Sequence, residues 1–165
     1  MTVPNVAPML DGEPPHDQVV FATRLQRYWA DLLTGLTGAY PDHAPEMANR
    51  LVEIAAQNFR QRPHDLRLLD LQRHADPQWF QHPRMLGYAT YTDWFAGHLK
   101  GVADRVDYLA ELGVTYLHLM PLLKPRPGQS DGGYAVMDYR AVREDLGSID
   151  DLRELATVLR SHGIS

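Results

Sequence analysis

The first half of the chain alternates apolar and polar positions with a helical period. From Asp17 onward Phe21, Leu25, Tyr28, Trp29, Leu32, Leu33 and Leu36 recur every three or four residues, which predicts a long amphipathic helix, N-capped by Asp17 and ending near Gly38. After a turn spanning Pro41 to Pro45, Met47, Leu51, Ile54, Ala55 and Phe59 repeat the period until Pro63 stops it. A shorter helix begins near Asp65 with Leu66 and Leu69, and Asp76-Pro77 closes it. Three amphipathic helices joined by short connections bury their apolar faces by packing on one another. The segment before them, with Pro4, Pro8, Gly12, Pro14 and Pro15, has little periodicity and reads as a loose arm that lies on something else or stays mobile.

Beyond residue 84 the pattern changes. Leu86 to Thr92 is a compact run of aromatic and β-branched residues without a helical stripe, so it predicts a strand. Leu99, Val102, Val106, Leu109 and Leu112 restore the helical period up to Gly113, a natural cap. Val114 to Met120 is nearly continuous in apolar residues, as expected of a strand buried on both faces. A loop of about 27 residues follows, and Ile149, Leu152, Leu155, Ala156 and Leu159 mark a last helix capped by Gly163. Strand, helix, strand, loop, helix opens a parallel α/β structure with right-handed crossovers, and a third strand is expected to begin at Ile164-Ser165. The expected organisation is a helical domain over 1–84 and an incomplete α/β domain over 85–165, with open strand edges, exposed apolar surface and self-association through that edge.

Composition narrows the function classes. Of 165 residues, 44% are hydrophobic and 22% charged, the balance of a globular chain. Cysteine is absent, which excludes disulfides, zinc ribbons and thiol nucleophiles. The net charge of -5 comes without a Lys/Arg cluster, so nucleic acid is not an expected partner. No apolar run approaches the roughly 18 to 20 residues that cross a bilayer, and the start lacks a basic, apolar leader; a cytoplasmic location is expected, with no membrane partner. Among the eight histidines, His64 and His74 stand ten apart with no third ligand at metal spacing, so neither metal nor cofactor is expected. His118 is read as a hydrogen-bonded core residue, Trp29 and Trp79 as core, and Trp94 as either packing or a sugar platform.

In α/β barrels the loops after the strands form the active face, which singles out Pro121 to Gly147. Within it Asp131-Gly-Gly-Tyr134 reads as a tight turn presenting a carboxylate and a ring; composition alone favours a hairpin-like turn with Tyr134 as packing, and a pairing that suits a sugar is the alternative. Asp138, Glu144 and Asp145 are explained by a solvated turn and the cap of the final helix, so no catalytic residue is assigned.

The run Leu112 to Leu123, followed by Ser130-Asp-Gly-Gly-Tyr-Ala-Val136, Asp138-Tyr-Arg140 and Leu146-Gly147, resembles the second barrel strand and loop of the α-amylase superfamily, glycoside hydrolase family 13. The Asp-Gly-Gly-Tyr-Ala-Val form particularly resembles amylosucrases and sucrose hydrolases. Met85 to Gly97 resembles the first barrel strand, and the preceding helices resemble that group's helical N-terminal domain. The resemblance implies a helical domain followed by the first two strand-helix units of a (β/α)8 barrel, truncated. It implies that Tyr134 stacks on a glucosyl ring and that Asp131 lies at the pocket floor, paired with an arginine from a later part of the barrel. Sucrose or an α-glucan is the implied partner of the full enzyme, by a retaining mechanism whose nucleophile and acid/base come from later strands. Trehalose-forming or maltose-acting relatives, or a non-catalytic binding fragment, are the alternatives.

Overall fold

A computed structural model describes residues 2–165; Met1, the first residue of the opening arm, lies outside the described residues. The chain divides into two compact units, one running through Asp76 and the other Pro77–Ser165.

In the first unit α1 (Pro15–Ala39), α2 (Ala44–Gln61) and α3 (His64–Ala75) follow one another as the periodicity predicts. The opening arm is not loose: Ala7–Leu10 forms a 3-10 turn, and Val6 and Leu10 are buried among Trp29, Ala48, Val52 and Ala56. The buried face of α2 also differs from expectation. Ala44, Ala48, Val52 and Ala56 point inward, whereas Leu51 and Ile54 are 42% and 40% exposed. Small side chains let two helix backbones approach closely, so here shape outweighs side-chain size in choosing the face.

Asp17 is not the N-cap of α1 either. Pro14 holds that position, and Asp17 is buried in the first turn, where its Oδ2 accepts a 2.7 Å hydrogen bond from Arg67 of α3. The same Nη1 donates to Glu13 Oε2 at 2.8 Å. The rest of the guanidinium donates to the carbonyls of Phe59, Arg60 and Arg62, at the unsatisfied C-terminal end of α2, and lies 4.6 Å from the Phe59 ring centroid. Burial works against the charge on Arg67, but the bonds and charges of Glu13 and Asp17 outweigh it and hold the group protonated above its ordinary range. No residue of α3 is fully buried. That helix is therefore held largely by this ion network.

The second unit has β1 (Gly87–Tyr91), α4 (Thr92–Ala96), α5 (Leu99–Ala103), α6 (Val106–Glu111), β2 (Tyr116–Met120), β3 (Leu123–Pro125), β4 (Val136–Val142) and α7 (Ile149–Ser161). The single helix expected between the strands is two, α5 and α6, separated at Asp104-Arg105, and Gly113 follows with φ 78°. Strands β1 and β2 pair in parallel from Gly87↔Tyr116 to Tyr91↔Met120. Ser165 donates to the Thr115 carbonyl and accepts from the Leu117 amide, both at 2.9 Å, so the last residue lies hydrogen-bonded along the second edge of β2. The core, from Leu99, Val102, Val106 and Leu109 to Leu155, Leu159 and Ile164, lies on the helix side of the sheet. This is the start of a (β/α)8 barrel.

Burial of β2 is one-sided, contrary to expectation. Leu117 faces the core, while Tyr116 and His118 are exposed, so His118 is not a core residue. In a closed barrel that second face points to the axis and is covered by the other strands, which two paired strands cannot do. Trp29 is buried as expected, but Trp79 sits half-buried in a short 3-10 turn outside both cores. Among the described residues no helix is long and apolar enough to cross a membrane.

Helix α7 starts with a capping box. The Ser148 hydroxyl accepts from the Asp151 amide, and Asp151 Oδ2 accepts from the Ser148 amide at 2.7 Å and from its hydroxyl at 2.8 Å. These bonds, first the Ser148 amide, then its hydroxyl and Lys100, depress the Asp151 carboxyl from 3.8 to about 2. A depressed carboxyl adds stability that is present above about pH 4 and is lost as pH falls toward 2. Ser148→Ala should cost about 1 kcal/mol. In urea unfolding from pH 7 to 2, the gap between wild type and variant should narrow at the acid end.

Candidate functional site

The expected irregular loop after β2 is largely a hairpin. Strands β3 and β4 pair antiparallel, with a broken register, from Leu123↔Val142 to Pro125↔Val136. β3 has only three residues and ends in Pro125, and β4 has no strict alternation, which hides the pair in the sequence. Their connection ends in Asp131-Gly132-Gly133, with φ of 53°, 66° and 98°, three successive residues in the left-handed region. The turn is closed by the Gly133, Tyr134 and Ala135 amides donating to the carbonyls of Ser130, Asp131 and Ser130, while Arg126 Nε donates to the Gln129 carbonyl. Asp131, a non-glycine in αL, is held there by this closure.

Gly133 is required by position. A Cβ on it would lie 2.8 Å from Cγ of Pro121, the residue after β2, and its φ disfavours any other residue. The turn is thereby seated against the C-terminal end of β2. Gly133→Ala should destabilise the chain by about 1–3 kcal/mol and displace Tyr134. A lowered thermal midpoint, together with shifted Tyr134 ring resonances, is the expected readout.

The end of β1 meets the same hairpin. Arg143, just past β4, donates from Nη2 to Asp93 Oδ2 at 2.8 Å, and from Nε and Nη2 to the two Asp145 oxygens, each at 2.8 Å. Asp93 also accepts from the Trp94 amide. Its carboxyl is held below the usual range, chiefly by Arg143, and Arg143 is raised, first by Asp145 and, against burial, by Asp93. The pair ties the α4 segment to the hairpin. It joins residues 50 apart in sequence, beyond the reach of any local pattern.

Three aromatic rings gather at this end. Tyr91, the last residue of β1, lies 4.9 Å centroid to centroid from Trp94, which is 83% exposed and so is not core packing. Tyr134, 49% exposed, lies beside Tyr91, and partial desolvation followed by its interaction with that neighbouring phenol raises its own phenol above the usual range. Asp131 is exposed, and its carboxylate makes no hydrogen bond among the described residues. The expected binding residues thus sit within one turn, with Tyr134 beside the end of β1. Tyr91, Asp93 and Arg143 were not foreseen.

The remaining carboxylates are engaged. Glu144 accepts from Lys124 at 2.6 Å, which lowers its pKa, and Asp138 accepts from the Arg140 amide at 2.8 Å. Asp145 does not cap the final helix, since Ser148 does, and is paired with Arg143. His64 and His74 are both exposed on α3. Among the described residues no group of three His, Cys, Asp or Glu could hold a metal ion. The arrangement offers stacking surfaces and one free carboxylate at the C-terminal ends of two parallel strands, which suits a carbohydrate ring.

A barrel opening of this kind, with its loop-borne site, defines a class that comparison makes specific. The Alpha-amylase family model, described as "Alpha amylase, catalytic domain", matches residues 53–165. The chain belongs to the α-amylase family. It is 37% identical over 68 residues to the glucan 1,6-alpha-glucosidase of Streptococcus dysgalactiae subsp. equisimilis, covering 41% of this chain and 12% of that one. It is 36% identical over 96 residues to the trehalose-6-phosphate hydrolase of Escherichia coli (strain K12), covering 53% and 16%. It is 33% identical over 97 residues to a trehalose synthase/amylase of Mycobacterium tuberculosis, covering 54% and 16%. The chain spans less than a fifth of the length of these relatives. Their names differ in substrate, so they establish the carbohydrate-active family and not one specificity.

Proposed function

We propose that this chain supplies part of the donor-sugar pocket of an amylosucrase-like enzyme, which splits sucrose and passes the glucosyl unit to an α-glucan or to water. The carrying observation is the Asp131-Gly-Gly-Tyr134 turn, seated on Pro121 with Tyr134 beside Tyr91. In this reading Tyr134 covers the C–H face of a glucosyl ring and Asp131 fixes its polar groups. The second Gly and the Ala of Asp131-Gly-Gly-Tyr-Ala135 support the sucrose-acting group.

Retaining glycoside chemistry needs two carboxyl groups about 5 to 5.5 Å apart on either side of the anomeric carbon, one as nucleophile and one as acid and then base. Asp93, Asp145 and Glu144 are tied up in ion pairs, and the reading gives those two roles to carboxylates outside these 165 residues. A second reading, an α-glucosidase or trehalose-acting enzyme, is favoured by the names of three relatives. Steady-state kinetics of a catalytically competent protein containing this segment, on sucrose, maltose and trehalose, separates them; sucrose should have the highest kcat/KM.

In that protein, loss of the stacking ring in Tyr134→Ala removes about 2–3 kcal/mol of burial and ring contact, or about 30- to 160-fold in kcat/KM. Tyr134→Phe keeps the ring and should stay within a few fold. Equal loss in both variants would contradict a stacking role.

A further inference from the structure

Between β3 and the candidate turn the loop closes a hollow of about 520 Å³, lined by Arg126, Gly128, Gln129, Ser130, Asp131 and Gly132. That volume lies within the roughly 300–1,000 Å³ usual for small-molecule sites. No aliphatic or aromatic side chain is among the six, so an occupant is held there by hydrogen bonds and not by apolar burial. The hollow adjoins Tyr134, because Asp131 belongs to both: its carbonyl accepts from the Tyr134 amide.

Arg126 is fixed at two points. Its backbone amide donates to the Ala135 carbonyl at 2.9 Å, and its side-chain Nε donates to the Gln129 carbonyl at 2.7 Å. The second bond folds the guanidinium back onto the loop that lines the hollow, and its two terminal nitrogens have no partner among the described residues. The amides of Gly133, Tyr134 and Ala135 close the turn, whereas those of residues 128–132 donate to no acceptor among the described residues. Asp131 adds a carboxylate that is equally unused. A fixed cation, a row of free amides and one anionic acceptor thus share one lining. An anion would be drawn to Arg126 and repelled by Asp131, but hydroxyl groups both donate and accept and so satisfy the two together.

We propose that this hollow holds the glucose unit of an α-glucan next to the one that lies on Tyr134, with Arg126 and the loop amides donating to its hydroxyls and Asp131 accepting from them. This rests on the reading of Tyr134 as a ring platform. Arg126 is then a specificity residue, favouring an oligosaccharide over a single ring.

Glucose, maltose and inorganic phosphate, each titrated into the ¹⁵N-labelled 165-residue chain at matched ionic strength, provide the test. Maltose should saturate in the millimolar range, shift the amides of residues 128–132 together with Tyr134, and bind about three- to tenfold more tightly than glucose, whose shifts centre on Tyr134. Arg126→Gln should abolish that preference while the response of Tyr134 to glucose stays as in wild type. Should the variant lose that response, the loop has loosened and the wild-type shifts decide. Maltose shifts at Tyr134 without residues 128–132, or a preference retained in Arg126→Gln, would overturn the proposal and leave the ring platform standing. Shifts at 128–132 alone would support the hollow and contradict the platform. No saturable shift at either place overturns both. Phosphate displacing maltose from residues 128–132 would mark an anion site and overturn the proposal.

Discussion

Arg67→Met should destabilise the helical unit by about 3–5 kcal/mol, the cost of removing one member of a buried ion cluster. The side chains of Arg67, Glu13 and Asp17 are only 13%, 15% and 12% exposed, so loss of the guanidinium leaves two carboxylates near each other without a counter-charge. The same change strands the carbonyls of Phe59, Arg60 and Arg62 at the end of α2 and removes the cation from the Phe59 ring. Because α3 buries no residue fully, little apolar contact remains to hold it. The triple variant Arg67→Met, Glu13→Gln, Asp17→Asn should recover a large part of the loss, because neutral side chains carry no unpaired charge. Urea unfolding followed by circular dichroism provides the comparison. A single variant within about 1 kcal/mol of wild type would mean that packing, not the ion cluster, docks α3.

The parts of this fold that were legible in the sequence are those with local causes. α1 and α7 show their period, and the parallel pair β1 and β2 shows in the runs ending at Thr92 and Met120. What depends on partners distant in sequence did not show. Apolar bulk pointed to Leu51 and Ile54 as the inner face of α2, whereas the fit against α1 selects Ala48, Val52 and Ala56. Asp17 looked like a cap because Ser, Thr, Asp and Asn favour that position; its real partner, Arg67, is 50 residues away.

The site divides in the same manner. Asp131-Gly-Gly-Tyr134 announced a turn through its glycines, and Gly133 does need φ 98°. The Tyr91 contact and the Asp93–Arg143 pair arise only when the hairpin folds back on β1, and no spacing rule encodes them.

The second large effect concerns chemistry. The 165-residue chain alone is expected to release no fructose from sucrose, because a glucosyl ester needs a nucleophilic carboxylate and departure of fructose needs a positioned acid, worth about 10² to 10⁴-fold by itself. Asp131 is the free carboxylate of the candidate turn, and a single acid cannot flank an anomeric carbon. Tyr134, Trp94 and Asp131 can hold a ring at best. Such holding should be weak, since an open surface buries little of a sugar and must still offset its lost translational freedom.

The most direct test is fructose release from sucrose by the purified chain, followed by an enzyme-coupled assay, with intact-mass detection of any glucosyl adduct. The account predicts neither fructose above the uncatalysed background nor an adduct. Turnover that disappears in Asp131→Asn and in Tyr134→Ala would contradict it, and would place the reacting carboxylate within this turn.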